Sequence, residues 1–199
     1  HSMGSFIARA YCTKYSKNLD GVVFCGTSGE IKGIPILLSV IDGLKKIYGD
    51  KHRSRKVNKI AFGAYNNKIT DNDSEYAWIS RDKEVIRKYG EDEKCTFIFT
   101  LNGFENIMKV LWYVSQEKWF ETYNISLPTL LVTGSGDPVG QYGEGGKQVY
   151  NKLIKNSCNA FLKIYPDARH ELLNEINKQE VYDCVLEFLQ EYSGGEDIL

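Results

Sequence analysis

The stretch His1-Ser2-Met3-Gly4-Ser5 decides how this chain is read. It has the form of a G-x-S-x-G nucleophile elbow without its leading glycine, the strained strand-to-helix turn that lifts a serine hydroxyl clear of an α/β sheet. The turn is tight and the helix must pass close to the strand, so a small residue is expected two places after the serine, where Gly4 stands. Ser2 is therefore the candidate nucleophile. The same residue types occur in expression-vector remnants, but a remnant has no reason to run straight into a helix. Here Phe6, Ile7, Ala10 and Tyr11 follow at once, on one expected apolar helical stripe. The reading implies that the sequence starts inside a domain, downstream of the strand that should hold Ser2.

Outward from the elbow, three short apolar runs have the look of buried parallel strands: 19–25, 129–133 and 160–165. A helical pattern carrying Val149, Tyr150, Leu153 and Ile154 separates the second run from the third. A last helix follows, with Val181, Cys184, Val185, Phe188 and Leu189 on one face. Strand–helix–strand–helix order argues for a parallel α/β sheet. Between the first and second runs lies an insert of about 100 residues, far longer than an ordinary connection. Its helices are marked by Leu37, Val40, Ile41, Leu44, Ile47 and Tyr48 ahead of Gly49, an expected C-cap, and by Ile107, Val110, Leu111 and Val114. Such an insert at the carboxyl ends of sheet strands sits where ligands bind, and it reads as a lid. The expected organisation is a core beginning at 1–28, a lid or cap at 29–125 and the rest of the core at 126–199. The tail 193–197 is expected to fray.

Composition narrows the partners. The 199 residues suffice for one domain with a real core. A net charge of −1 gives no general attraction to nucleic acid or to an anionic membrane. The apolar runs are too short to span a bilayer. The cysteines, Cys12, Cys25, Cys95, Cys158 and Cys184, are odd in number and scattered, which fits reduced thiols in a cytoplasm better than a disulfide framework or a zinc site.

Two further motifs bear chemistry. Thr133-Gly134-Ser135-Gly136-Asp137-Pro138-Val139 is a strand end followed by a glycine-rich turn with one acid; alone, it reads as an ordinary Asp-Pro turn. Asp167-Ala168-Arg169-His170-Glu171-Leu172-Leu173-Asn174-Glu175 follows the last strand; alone, it reads as a histidine beginning a helix, with Glu171 and Glu175 as helix-cap and surface charges. Together with Ser2 they are more specific. Ser2, Asp137 and His170 occur in the order nucleophile, acid, base, each at the end of an expected strand. A base must take the serine proton, and a carboxylate must hold that imidazole in the right tautomer.

The stretches 1–6, 128–140 and 165–175, with Leu19-Asp20-Gly21-Val22 and with Trp78-Ile79-Ser80-Arg81-Asp82 ahead of Cys95-Thr96-Phe97, resemble the lysophospholipase/monoacylglycerol-lipase branch of the α/β hydrolases, also labelled serine aminopeptidase S33-like. The similarity runs over nearly the whole chain and is strongest around Asp137 and His170. It implies an α/β-hydrolase fold, the C-terminal part of a parallel sheet flanked by helices, with a helical lid insertion. It implies Ser2 as nucleophile, Asp137 as acid, His170 as base and the Met3 backbone N–H as one oxyanion donor. The family's second donor comes from a loop before the elbow, and a missing donor costs about 10²–10³ in rate. The expected activity is hydrolysis of carboxylic esters, of the lysophospholipid or monoacylglycerol type, through an acyl-enzyme on Ser2. The alternatives are peptide, amide or thioester hydrolysis on the same triad, or an inactive truncated hydrolase. No metal or other cofactor is expected. The expected partner is a small acyl ester or lipid, with any membrane-surface contact transient, and nucleic acid is not expected.

Other features have plainer readings. The basic run Lys51-His52-Arg53-Ser54-Arg55-Lys56 is expected to be a solvated loop. Trp112, Tyr113, Trp119, Phe120 and Tyr123 could line an acyl pocket or form lid core. Cys25 is expected to be a buried core thiol. Without an upstream strand, Val22, Val23 and Phe24 are expected on an exposed edge that invites aggregation, and the 199 residues alone are expected to fold poorly and turn over little.

Overall fold

A computed structural model describes residues 1–71 and 73–193. Residues 194–197 of the tail expected to fray lie outside the described residues. Three parallel strands, β1 (Val22–Cys25), β2 (Thr129–Gly134) and β3 (Ala160–Tyr165), form a sheet in that order. Val22 aligns with Thr129, and Thr129 with Ala160. Every residue of β2 is buried, as a strand covered on both faces requires. The first expected strand loses its opening residues because Ser16–Asn18 form a 3₁₀ turn and β1 begins only after Gly21.

Strand alternation sends side chains to two different cores. Phe24 and Leu131 face a cluster shared with Phe6 of α1 (Met3–Tyr15), Leu111 and Val114 of α6 (Leu101–Ser115) and Val149 and Leu153 of α8 (Glu144–Lys155). Cys25, Leu130 and Val132 face the other side, where Val181 and Phe188 of α9 (Lys178–Tyr192) pack. Phe24 is therefore fully buried and not exposed as expected, while Val22 and Val23 are half-buried.

The helix after the elbow is present, but it buries a different face. Ser5, Phe6, Arg9 and Cys12 point inward, whereas Ile7 and Tyr11 are exposed. The reason lies in Arg9. Its guanidinium donates to the carbonyls of Ser28 at 2.9 Å and Val114 at 2.6 Å, and it stacks on Trp119 at 4.8 Å. A buried side chain that hydrogen-bonds across the core, as the two terminal nitrogens of Arg9 do, can occupy a face that hydrophobic periodicity assigns elsewhere.

Between β1 and β2 the chain forms α2 (Ile34–Tyr48), α3 (Arg55–Phe62), α4 (Lys83–Glu91), α5 (Glu93–Thr96), α6 and α7 (Glu117–Glu121). Gly49, at φ 82°, caps α2 in the conformation glycine favours. Ile41, Val57, Leu101 and Phe104 make a small core of their own. The far half of α6, with Trp119, Phe120 and Tyr123, belongs instead to the main core beside the sheet. Those three aromatics are thus core side chains, while Trp112 and Tyr113 are surface-exposed. The basic run divides: 51–53 are exposed loop, Ser54 caps α3 by accepting from the Val57 N–H, and Arg55 and Lys56 continue exposed into that helix.

Candidate active site

The elbow is built at the end of β1. Ser2 has φ 51° and ψ −128°, a conformation that costs a non-glycine residue of order 1–3 kcal/mol and persists only where neighbours enforce it. The Ser2 N–H donates to the Cys25 carbonyl at 3.0 Å. The Ser2 carbonyl accepts from the Ser5 N–H at 2.8 Å and from the Ser5 hydroxyl at 2.5 Å, and that hydroxyl lies 2.8 Å from the Thr27 hydroxyl. The crowded glycine here is Gly26, not Gly4. Gly26 has φ +56°, and a Cβ on it would lie 3.2 Å from His1 Nε2 and 3.3 Å from the His170 ring. A Cβ on Gly4 would meet nothing within 4 Å among the described residues.

The acid loop follows β2. Gly134 and Gly136 let it run against the histidine loop: the Gly136 N–H donates to the Ala168 carbonyl at 2.9 Å, and a Cβ on Gly134 would lie 2.0 Å from that same oxygen. Asp137 is fully buried. Its Oδ1 accepts from the Val139 N–H at 2.8 Å, which orients the carboxylate, and Oδ2 lies 3.0 Å from His170 Nδ1. His170 Nε2 lies 2.8 Å from Ser2 Oγ. In the tautomer that bonds both partners, Nδ1–H donates to Asp137 and the free Nε2 lone pair faces the serine hydroxyl proton. The three residues singled out from sequence are therefore brought into one continuous chain of hydrogen bonds.

Two rings flank the imidazole. His1 lies 4.6 Å away and Trp78, from the insert, 5.3 Å away. His1 Nε2 is 3.0 Å from the His170 carbonyl. Tyr65 sits nearby, its hydroxyl pushed up to about 12 by burial and then by the Asp137 charge. Cys25, beneath the elbow, is likewise pushed up to about 12, chiefly by burial, so it is an inert core thiol as expected.

Sequence reasoning missed Glu175. The expected helix after His170 is only a 3₁₀ turn, Leu172–Asn174, and Glu175 is wholly buried behind it. Its carboxylate accepts from the Arg169 and Arg81 backbone N–H groups, at 2.8 and 3.0 Å, and from Arg81 Nε at 2.9 Å. The available signal was the pair of arginines, Arg81 and Arg169, in two stretches that share the family resemblance.

A serine on the strained turn that opens α1 beside the carboxyl end of β1, an acid after β2 and a histidine after β3, all at one edge of a parallel sheet with helices on both faces, define an α/β hydrolase. The chain matches the family model described as serine aminopeptidase, S33, over residues 1–177, and it belongs to that family. Among solved structures it is similar to a highly thermostable carboxyl esterase from Bacillus coagulans in complex with glycerol, with a TM-score of 0.89 and 28% identity. The match covers 96% of this chain and 63% of that one. A soluble variant of monoglyceride lipase from Saccharomyces cerevisiae, at 17% identity and TM-score 0.68 over 96% and 63% of the two chains, shares the fold. So does a monoacylglycerol lipase from Paleococcus ferrophilus, at 16% identity and TM-score 0.70 over 96% and 66%. The chain thus spans about 63% of the length of the esterase it resembles. None of the curated proteins matches its sequence. Among the described residues, no helix is long and apolar enough to cross a membrane.

Proposed function

We propose that the protein is a serine hydrolase that cleaves carboxylic esters carrying one long acyl chain, such as lysophospholipids or monoacylglycerols. The observation that carries this reading is the run Ser2 Oγ, His170 Nε2, His170 Nδ1, Asp137 Oδ2, with spacings of 2.8 and 3.0 Å. His170 takes the Ser2 proton as Ser2 Oγ attacks the ester carbonyl. Asp137 holds the imidazole and stabilises it when charged. Met3 opens α1, so its N–H lacks an intrahelical acceptor and is available to the tetrahedral oxyanion. His170 then protonates the leaving alcohol, and water releases the acid from the acyl-enzyme. The chemistry calls for no metal or organic cofactor. Within the insert 29–125, the part around its separate small core and Trp78, which stands against the His170 ring, acts as the lid, while its end, from Leu111 to Tyr123, packs into the main core. Scattered thiols support a reducing, cytoplasmic setting.

Peptide or amide hydrolysis on the same triad is the second reading, favoured by the family's description as an aminopeptidase. Fold and triad do not fix the substrate, so a panel of fatty esters against aminoacyl amides separates the two. Fluorophosphonate labelling of the intact protein tests the mechanism itself. Wild type should label with one equivalent and Ser2→Ala not at all, and labelling that survives in Ser2→Ala removes Ser2 as the nucleophile.

A further inference from the structure

We propose that Arg81 and Glu175 form a positioning pair for His170, through which the insert is tied to the catalytic base. The inference rests on the triad reading above and adds to it residues that never touch substrate. One wholly buried carboxylate serves two segments far apart in sequence. Its Oε1 holds the backbone N–H of Arg169, the residue directly before His170, and the backbone N–H of Arg81 in the insert. Its Oε2 takes Arg81 Nε and the Ile176 N–H, at 2.9 and 3.0 Å. Around this hub the insert's strap 77–81 lies directly on the histidine loop. The Glu171 N–H donates to the Ile79 carbonyl at 2.7 Å, the Ser80 hydroxyl donates to the Asn174 carbonyl at 3.0 Å, and the Arg169 guanidinium donates to the carbonyls of Ala77 and Ser80 at 2.8 and 3.0 Å.

Burying an ionised carboxylate is costly unless hydrogen bonds satisfy it, and the Glu175 carboxylate meets four donors. What those donors have in common is His170: each belongs to the loop that carries it or to the strap against that loop. The imidazole must place one nitrogen on Ser2 and the other on Asp137 at once, so a shift of its backbone by a fraction of an ångström degrades both bonds. A misplacement of about 1 Å can cost about 10²-fold in rate. Arg81 keeps part of its side chain at the surface, with 23% exposure, and so can be changed with less risk to the core than Glu175.

The test uses the intact protein and a p-nitrophenyl ester. Arg81→Ala should keep its circular dichroism but melt lower, since it takes the paired cation from a buried carboxylate; assayed well below that melting point, it should lose about ten- to a hundredfold in kcat and hold KM within about twofold, because the base is displaced while Arg81 itself makes no proposed contact with substrate. Arg81→Lys keeps one charged donor for Glu175 and should lose only severalfold. Wild-type kcat in Arg81→Ala, or a loss confined to KM, overturns the proposal. Should Arg81→Ala fail to fold, Arg81→Lys decides: a reduced kcat at an unchanged melting point supports the pair, and an unchanged kcat overturns it. His170→Ala is measured alongside. If it retains wild-type kcat, the triad reading itself has failed, which is a different result from a normal Arg81 variant beside an inactive His170 variant.

Discussion

Asp137→Asn should be more damaging than its near-isosteric size suggests, and the structure says why. Asp137 Oδ1 accepts the Val139 N–H at 2.8 Å, and Oδ2 receives the His170 Nδ1 proton at 3.0 Å. An amide in this place has one acceptor and one donor end. With the oxygen kept on the Val139 N–H, the NH₂ faces Nδ1, which must then be the unprotonated nitrogen. The ring proton moves to Nε2, the atom that faces Ser2 Oγ at 2.8 Å, and the base can no longer accept the serine proton. The flipped amide instead sets NH₂ against the Val139 N–H, two donors in a fully buried place, a cost of about 1–3 kcal/mol. The wrong tautomer therefore wins, and a loss of about 10⁴ in kcat is expected, equivalent to about 5 kcal/mol of transition-state stabilisation. Asp137→Ala imposes no tautomer, so its loss should be no greater. The assay is steady-state ester hydrolysis with fluorophosphonate labelling rates, after matching melting points. An Asn variant within tenfold of wild type, or one clearly more active than Ala, refutes the reasoning.

Gly134→Ala should melt lower by about 1–3 kcal/mol of stability and lose activity together, since its Cβ would fall 2.0 Å from the Ala168 carbonyl and push the loop carrying His170. Thermal melts and kcat read this, and a change in only one of them argues against the coupling. In alkali, burial sets the sign. Cys25 is pushed up to about 12 and Cys12 to about 11, from about 9, so each contributes stability that is full below about pH 9 and lost as pH rises through the folded values. Arg9 is lowered to about 9 by desolvation, so over the same range the unfolded chain binds a proton the fold lacks, and its contribution runs the other way. Arg9→Met should therefore make the urea midpoint fall more steeply between about pH 9 and 11 than in wild type. An unchanged slope would show that Arg9 keeps its proton.

The strands and the triad could be read from sequence because they depend on local properties. Val22–Cys25, Thr129–Gly134 and Ala160–Tyr165 are short apolar runs ended by turn residues, and chain order, strand-end placement and the family resemblance together linked Ser2 to Asp137 and His170. What could not be read depends on who sits opposite. Nothing local distinguishes Trp119, Phe120 and Tyr123 as core from the same residues lining a pocket; the decision belongs to Phe6, Cys12 and Leu153, distant in sequence. Ile7 and Tyr11 lost the buried face of α1 to Ser5 and Arg9 because apolar periodicity gives no weight to a polar group whose partners lie up to 105 residues away. Glu175 escaped for the same reason: its worth as an acceptor depends on Arg81, 94 residues earlier.

Arg9 also bears on how Ser2, the proposed nucleophile, is kept in its strained conformation. Ser2 cannot hold φ 51° by its own preference, so something must fix the helix it begins. Arg9 sits two turns further along α1. Its guanidinium reaches Ser28, just past β1, and Val114 in α6, while its own carbonyl accepts from Trp119 Nε1 at 3.0 Å. Its partners are two backbone carbonyls, the Thr27 hydroxyl at 3.4 Å and the Trp119 ring, so a cation is buried without a carboxylate, and its pKa falls to about 9. A leucine there would bury apolar surface at no such cost. It would also leave the Ser28 and Val114 carbonyls without that donor and α1 with fewer anchors against rotation about its axis, and a rotation of α1 swings Ser2 Oγ away from His170 Nε2. The buried arginine gives up stability to fix the angle of one helix, and the angle of that helix sets the distance on which the proton transfer depends.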